Sequence, residues 1–270
     1  MATLNGIIEC LKDMKPEFEI TQHEVVKNLV KLQGITIREP NSKIAPCIYI
    51  DHLLSDDISD FDAARQILAI YNQSGLDIDI SCLLDKEYIL SHIYLGLQKK
   101  DDNCDYLTRP SDYDNIIEYM YIRGNIDSDH FSVKVTTGIL EDVGIAPSEA
   151  WNSAQKATEN EISISSLYEV INWLTDENTD EFSYMPMWVV SNSLKLNGAA
   201  TIKNKEFIRK WAKEHGYEKL IIIFSSIHEC ILLPAKEFEL DYITDMINSV
   251  NDECVSPIEQ LANKAYIFDV

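Results

Sequence analysis

The sequence predicts an α+β fold, mixed in its helix and strand content and built largely from antiparallel strands. Three observations carry that expectation. Runs of β-branched and aromatic residues come in pairs separated by turn-forming segments. Each pair is followed by apolar residues at helical spacing. The order strand, strand, helix recurs near 32–72, 115–143 and 219–251, without a residue-level repeat that would mark duplication.

The elements follow in chain order. Glu19 to Val30 is ambiguous, because Val25, Val26, Leu29 and Val30 fit a helix while FEITQHEVV has strand composition. Leu32 to Arg38 and Pro46 to Ile50 read as strands around a turn at Pro40 to Ser42. Phe61, Ala64, Leu68 and Tyr71 place a helix over Asp60 to Asn72, with Asp60 as its cap. Asn115 to Ile122 and Phe131 to Thr136 form a second strand pair around RGNIDSD, followed by a helix at Thr137 to Val143. Pro147 opens another helix through Trp151, Ala154 and Thr158, since proline suits the first helical turn.

Ser163 to Leu174 reads as helix, and Thr175 to Ser183 as an acidic loop. Met187 to Ser191 reads as strand, and Asn197-Gly198 as a hairpin dipeptide. A helix over Lys203 to Gly216 ends on Gly216 as a left-handed cap. Lys219 to Phe224 and Glu229 to Leu233 are strands joined by a tight Ser-Ser turn. Leu240, Ile243, Ile247 and Val250 mark a last helix, and Ala265 to Phe268 a terminal strand.

The 270 residues suffice for one large domain or two small ones. The 45 acids against 23 bases give a formal charge of −22, which argues against direct nucleic-acid contact or an anionic membrane partner. No apolar run approaches a membrane span. Met1 to Ile20 shows no basic segment leading into an apolar one. Six cysteines, none in a C-x-x-C pair, then read as reduced thiols, and the expected location is cytoplasmic.

The charge is uneven. Residues 51–181 hold 27 acids and eight bases, whereas 182–236 hold four acids and eight bases. That division suggests an acidic lobe over about 1–181 and a C-terminal lobe over about 182–270 within one unit. The acids can simply solvate loops and helix starts. They can also form a surface for a basic protein, with Asp56, Asp57, Asp60, Asp62, Asp77, Asp79, Glu177, Asp180 and Glu181 as the candidate contact residues.

Most catalytic patterns are missing. There is no phosphate-cradling glycine loop, no EF-hand loop and no G-x-S-x-G elbow. His23-Glu24 and His228-Glu229 lack the second histidine of a zincin, with Lys27 and Leu232 at those positions. No metal and no cofactor is expected. One dense polar cluster remains, Ser225-Ser226-Ile227-His228-Glu229-Cys230. A catalytic reading makes Ser226 a nucleophile and His228 its base. In an extended segment those two share one face and Glu229 takes the other, so a relay through Glu229 is poor. The simpler reading is a turn whose serine hydroxyls bond nearby backbone.

The segments PCIYID, VTTGILEDVGI, MWVVSNSLKLNGAATI, SSIHECILLPA and MINSVNDECVSPIEQLANKAYIFD, in that order, resemble the landmarks of an uncharacterised bacterial family, domain of unknown function fifty-six eighty-eight. More distantly the chain is similar to YtpQ-like proteins. Phe224 stands where the family has proline before the Ser-Ser-x-His-Glu run. The resemblance implies one family-length unit from about Ile35 to Val270, and a strand pair over Glu19 to Leu32. It assigns no catalytic residue.

The leading expectation is therefore a non-enzymatic acidic binding protein for a basic partner, in its most specific form a nucleic-acid mimic inhibiting a defence or processing enzyme. The alternatives are a hydrolase-like site around Ser226, His228 and Glu229, and a regulatory domain for a small ligand.

Overall fold

The structure, a computed structural model, describes residues 2–40, 45–55, 57–73, 80–126, 129–175 and 185–270. It is α+β, with helices and three antiparallel sheets. The chain divides into two compact units, 1–80 and 81–270, each with its own core. The charge boundary near 181 is one of composition, because strands on either side of it pair with each other (below).

The first unit opens with α1 (Leu4–Met14), capped by Thr3, whose hydroxyl accepts from the Gly6 amide at 3.2 Å. Strands β1 (Glu19–Lys27) and β2 (Val30–Arg38) form a hairpin in full register, and β3 (Cys47–Tyr49) pairs with β2. The ambiguous segment is thus a strand. Asn28 and Leu29 both take positive φ, the signature of the two-residue turn that lets right-twisted strands pair directly. Two helices follow, α2 (Asp51–Ser55) and α3 (Asp60–Gln73). The cap of α3 is Ser59 rather than Asp60. Ser59 Oγ accepts from the Asp62 amide at 3.1 Å and donates to the Asp62 carboxylate at 2.6 Å. Ile7 and Leu11 of α1, Ile35 and Ile37 of β2, and Ile67 and Tyr71 of α3 fill the core.

The second unit holds the other two sheets. Helix α4 (Lys86–His92), capped by the Asp85 carboxylate, runs into β4 (Ile93–Lys99). Strand β6 (Ile116–Ile126) pairs with β4 along one edge, and with β5 (Thr108–Pro110) and β7 (Asp129–Lys134) along the other. Helices α5 (Thr137–Asp142) and α6 (Pro147–Asn160) follow as predicted.

The segment predicted as helix from Ser163 begins instead with β8 (Ser163–Ser166), then α7 (Leu167–Thr175). Ser166 explains the switch. Its hydroxyl accepts from the Glu169 amide at 3.1 Å, while the Glu169 carboxylate accepts from the Ser166 amide at 2.8 Å. This capping box starts the helix four residues later and frees Ser163 to Ser166 to pair with β9 (Trp188–Ser191). The predicted acidic loop over Thr175 to Ser183 lies almost wholly outside the described residues.

Asn197-Gly198 makes no hairpin. Asn197 is left-handed and opens a 3-10 helix, Gly198–Lys203, before α8 (Lys205–Glu214), which ends with Gly216 at φ +75° as predicted. Strands β10 (Lys219–Ile223) and β11 (Cys230–Pro234) are antiparallel neighbours, with α9 (Leu240–Glu253) and β12 (Ala265–Asp269) completing the unit. The five-stranded order is β12-β10-β11-β9-β8.

Strand β10 is apolar without alternation because both of its faces are covered. Leu220 and Ile222 join the main core with Met120 of β6 and Ala154 of α6. Ile221 and Ile223 face Ile243 and Ile247 of α9 in a smaller one. Tyr113 and Tyr266 meet Phe224 edge-on at 4.6 and 5.5 Å, linking the two sheets of this unit.

Within that core lies a buried carboxylate. Glu118, 1% exposed, accepts from Arg109 Nε at 2.7 Å and from Lys203 Nζ at 2.6 Å. Arg109 also donates to Gln155 of α6 and stacks over Trp151. Removing one partner of a buried ion cluster strands the other charges, at about 3–5 kcal/mol. Glu118→Gln is expected to lower the unfolding free energy of the second unit by an amount of that order, read in urea melts as a lower midpoint with an unchanged m value. A loss under about 0.5 kcal/mol would show the cluster to be solvated.

All six cysteines are free thiols. Titration of the denatured, unreduced protein is expected to return six, and four or fewer would contradict it.

Candidate functional site

The Ser-Ser-x-His-Glu run occupies the connection between β10 and β11. It is a six-residue loop, Phe224 to Glu229, rather than a tight turn, because the register leaves Ile223 opposite Ile231. The chain bends here, so the strand alternation that would separate Ser226 from Glu229 does not apply. The Glu229 side chain folds back, and its Oε1 accepts from Ser225 Oγ at 2.9 Å and Ser226 Oγ at 2.8 Å. Ser226 Oγ also accepts from the His228 amide at 2.9 Å, an ST-turn bond, and Ser226 is buried.

The histidine is held from both sides. Its Nδ1 accepts from the Asn197 backbone N–H at 3.1 Å, and its Nε2 lies 3.6 Å from Glu259 Oε1. A backbone amide is an obligate donor, so Nδ1 carries no proton and the neutral ring is protonated at Nε2, toward the carboxylate. The lone pair a general base would use is therefore engaged with Asn197, and neither serine hydroxyl is its partner. The proton of Ser226 is directed at Glu229, a carboxylate shared with Ser225.

The surroundings fit the loop closely. The Ile227 amide donates to Glu259 O at 2.8 Å, the Ala199 amide to Ile227 O at 3.3 Å, and Ser191 Oγ to His228 O at 2.8 Å. Gly198 sits in the middle. A Cβ there would lie 2.6 Å from His228 O and 2.7 Å from the Asn192 amide nitrogen, so no larger residue fits without backbone movement. The elements assembled are the start of the 3-10 helix, the end of β9 and the chain before β12, all landmarks noted in the sequence.

The chain belongs to a family of unknown function, DUF5688, whose profile matches residues 6–270. No curated protein and no solved structure matches the chain. Three of the segments that carried the resemblance, 187–202, 225–235 and 246–269, supply the residues packed around His228.

The acidic candidates are distributed differently. Asp57, Asp60 and Asp62 are described; Asp56, Asp77, Asp79, Glu177, Asp180 and Glu181 lie outside the described residues. Asp57 and Asp62 are exposed. Asp60 and Asp62 have structural duties. Asp60 Oδ1 accepts from the Thr3 amide at 2.6 Å, tying α3 to the start of α1, and the Asp62 carboxylate accepts from the Ser59 hydroxyl that caps α3. Among the described residues no group of three His, Cys, Asp or Glu side chains is placed to hold a metal ion, and no helix is long and apolar enough to cross a membrane.

Two features were missed in the sequence. One face of the β4–β6 sheet carries Tyr94, Tyr119 and Tyr121, with Arg123 stacked at 3.9 Å over Tyr94 and ion-paired to Glu161, and Lys134 over Tyr106 at 3.9 Å. The alternation Tyr119-x-Tyr121-x-Arg123 was the available signal. The other is an open cleft of about 330 Å³ beside α7, lined by Ser165, Glu169, Val170, Trp173, Ser193 and Lys195. Its signal was the Ser166-x-x-Glu169 box that fixes the start of α7.

Two predictions test these placements. Ser226→Ala removes a hydroxyl that bridges the His228 amide and Glu229, and about 1–3 kcal/mol of stability should go with it. Gly198→Ala should cost more. Denaturant melts of both variants read this, and a Gly198→Ala protein as stable as the parent would contradict the close packing. On the tyrosine face, burial pushes the Tyr121 phenol from the ordinary 10.0 up to about 12. In the first unit, burial and the Glu39 carboxylate raise Tyr71 likewise to about 12. A raised folded pKa contributes stability fully present below the unfolded value and lost as pH rises through the folded one. Alkaline titration should therefore show late-ionising tyrosines whose ionisation coincides with unfolding at about pH 12. Ionisation of every tyrosine near pH 10 with the fold intact would contradict it.

Proposed function

We propose that this protein is a non-enzymatic acidic binding protein that takes a basic protein as its partner. The observation that carries the reading is the charge, −22 overall, with 27 acids against eight bases over residues 51–181. A field of that size draws cationic surfaces in, accelerates encounter with them and repels phosphate chains. In its most specific form the carboxylates stand in for the phosphates of a nucleic acid and occupy the groove of a nucleic-acid-acting enzyme. A reducing, cytoplasmic setting is part of the reading.

The geometry of the β10–β11 loop supports binding over hydrolysis. Ser226 hands its proton to a carboxylate that already serves Ser225, and His228 spends its lone pair on a backbone amide. Both arrangements stabilise a turn, and neither raises the nucleophilicity of a hydroxyl.

The test is a capture experiment with the immobilised full chain at about 0.05 M and 1 M salt, because exposed charges are screened within about 10 Å at 0.1 M. Basic proteins retained at low salt and released at high salt are the expected result. Reversal of exposed acids without cap duties, such as Asp102→Lys with Asp105→Lys, should slow association more than dissociation, as peripheral charges do. Retention that survives 1 M salt, or a large loss of a hydrolytic activity in His228→Ala, would overturn the reading.

A further inference from the structure

Strand β1 is an open edge. It ends the β1-β2-β3 sheet and runs for nine residues, Glu19–Lys27, with no proline, no glycine and no bulge. Edge strands are ordinarily short, interrupted or covered, because a free row of amides and carbonyls invites another strand. The edge strand β4 shows such cover, since Thr158 Oγ1 of α6 takes its outward Leu95 amide at 2.8 Å.

Two observations fix which groups of β1 face outward. The two-residue turn at Asn28-Leu29 makes Lys27 and Val30 a hydrogen-bonded pair, so alternate residues from Lys27 back to Glu19 bond to β2. On β2, Gln33 O accepts from the Ile50 amide and the Ile37 amide donates to Pro46 O, so Gln33, Ile35 and Ile37 turn toward β3. Their partners across the hairpin, Glu24, Gln22 and Ile20, therefore turn away from β2, as does Val26. Among the described residues, the backbone of these four makes no hydrogen bond outside the strand ladder.

The edge is self-complementary. A two-fold axis through His23 sets Ile20 opposite Val26, and Gln22 opposite Glu24, of a second copy. Outward residues then meet outward residues, and every free N–H and C=O among them finds a partner. The remaining pairs match in character, Glu19 with Lys27 and Thr21 with Val25. Glu19 already meets Arg38 at 3.4 Å, but its side chain is 61% exposed and open to a second cation. Lys27 rests over the Tyr49 ring at 4.2 Å and has no carboxylate partner among the described residues. Val26, 46% exposed, gains Ile20 as an apolar neighbour. Other registers are poorer. An axis through Glu24 would oppose two carboxylates, and one through Gln22 would leave Lys27 beyond the end of the partner strand. A slip by one residue would set outward groups against groups already bonded to β2.

Local charge permits the approach. Glu19 to Arg38 carries two acids and three bases, in a chain whose formal charge is −22. We propose that β1 is the surface through which two copies of this chain associate, in an antiparallel ladder centred on His23 that joins their three-stranded sheets edge to edge. This goes beyond the acidic-binder reading and does not depend on it.

The test is sedimentation equilibrium of the full chain from about 1 to 500 µM. The mass is expected to move from 30.9 kDa toward twice that value. The interface is small, so a Kd on the order of 10–100 µM is expected. The dimer should tighten between about 0.05 and 0.5 M salt, because screening relieves the repulsion between two acidic copies, whereas capture of a basic partner weakens. Gln22→Pro removes an outward amide and none that bonds to β2, a change edge strands accept, and should weaken the dimer more than about a hundredfold. Gln22→Ala keeps the amide and should leave the dimer intact. Lys27→Glu and Glu19→Lys should each weaken it about tenfold. An equimolar mixture of those two variants should restore it, because each strand then faces opposite charge, a rescue that misfolding of either variant does not produce. A mass of 30.9 kDa at every concentration overturns the proposal. So do a dimer that Gln22→Pro leaves intact, species larger than a dimer, a dimer dissolved by salt, or charge variants that the mixture fails to rescue. None of these outcomes touches the acidic-binder reading, which the capture experiment decides.

Discussion

The second unit is organised around one unavoidable electrostatic demand. A carboxylate at Glu118 has been taken almost wholly out of water on strand β6, and a buried charge persists only when counter-charges reach it with good geometry. Arg109 supplies one from β5 and Lys203 the other, from the 3-10 segment 85 residues further along the chain. Meeting that demand fixes much else. Arg109 brings Gln155 and Trp151 of α6 against the sheet, and Gln155 in turn holds Glu159. Lys203 fixes the end of the 3-10 helix, and Asn204, next in line, caps α8 and binds Glu159 O. Lys205 and Asp112 close the cluster at 2.7 Å, and the lysine hydrogen bond holds the Asp112 carboxyl below its ordinary range.

How much of this could be seen in the sequence depended on how local each cause was. The pairing of β10 with β11 was legible because Ile221 to Ile223 and Ile231 to Leu233 are dense β-formers with a polar gap between them. Helices α3, α6 and α8 were legible for the same kind of reason, an apolar repeat at 3.6 residues. What failed depended on single hydrogen bonds or distant partners. Ser163 to Ser166 has weak strand character and is extended because β9 lies beside it. Asn197-Gly198 has hairpin chemistry, but its strained residue serves the entrance to a 3-10 helix and offers its amide to His228. Strand β4 places Ile93, Leu95 and Leu97 on one face, yet Gly96 in its middle weakens the pattern. That glycine exists for Tyr119, whose ring would lie 2.3 Å from a Cβ at that position.

The candidate site divides in the same way. Ser225 to Glu229 stood out as a polar island between apolar strands, and the island is where the sequence places it. Its role was only half legible, because the residues that settle the state of His228, Asn197 and Glu259, lie 31 residues on either side. The acidic residues were legible as a sum and not as a surface. Asp60 and Asp62 show why: identical in charge to their neighbours, they are occupied by Thr3 and Ser59.

Strand β12 has a consequence for how the protein is made. It is the edge strand that pairs with β10, and Tyr266 OH reaches back to Asp114 O, 152 residues earlier. A polypeptide leaves the ribosome N-terminus first, and domains close as their last element emerges. Residues 1–80 can complete their core while most of the chain is still being translated. The second unit must leave one side of β10 unpaired until residues 265–269 are out. For that interval the nascent chain offers a ready edge for wrong pairing, and an excess of like charge along the waiting segments is a means of keeping neighbouring nascent chains apart.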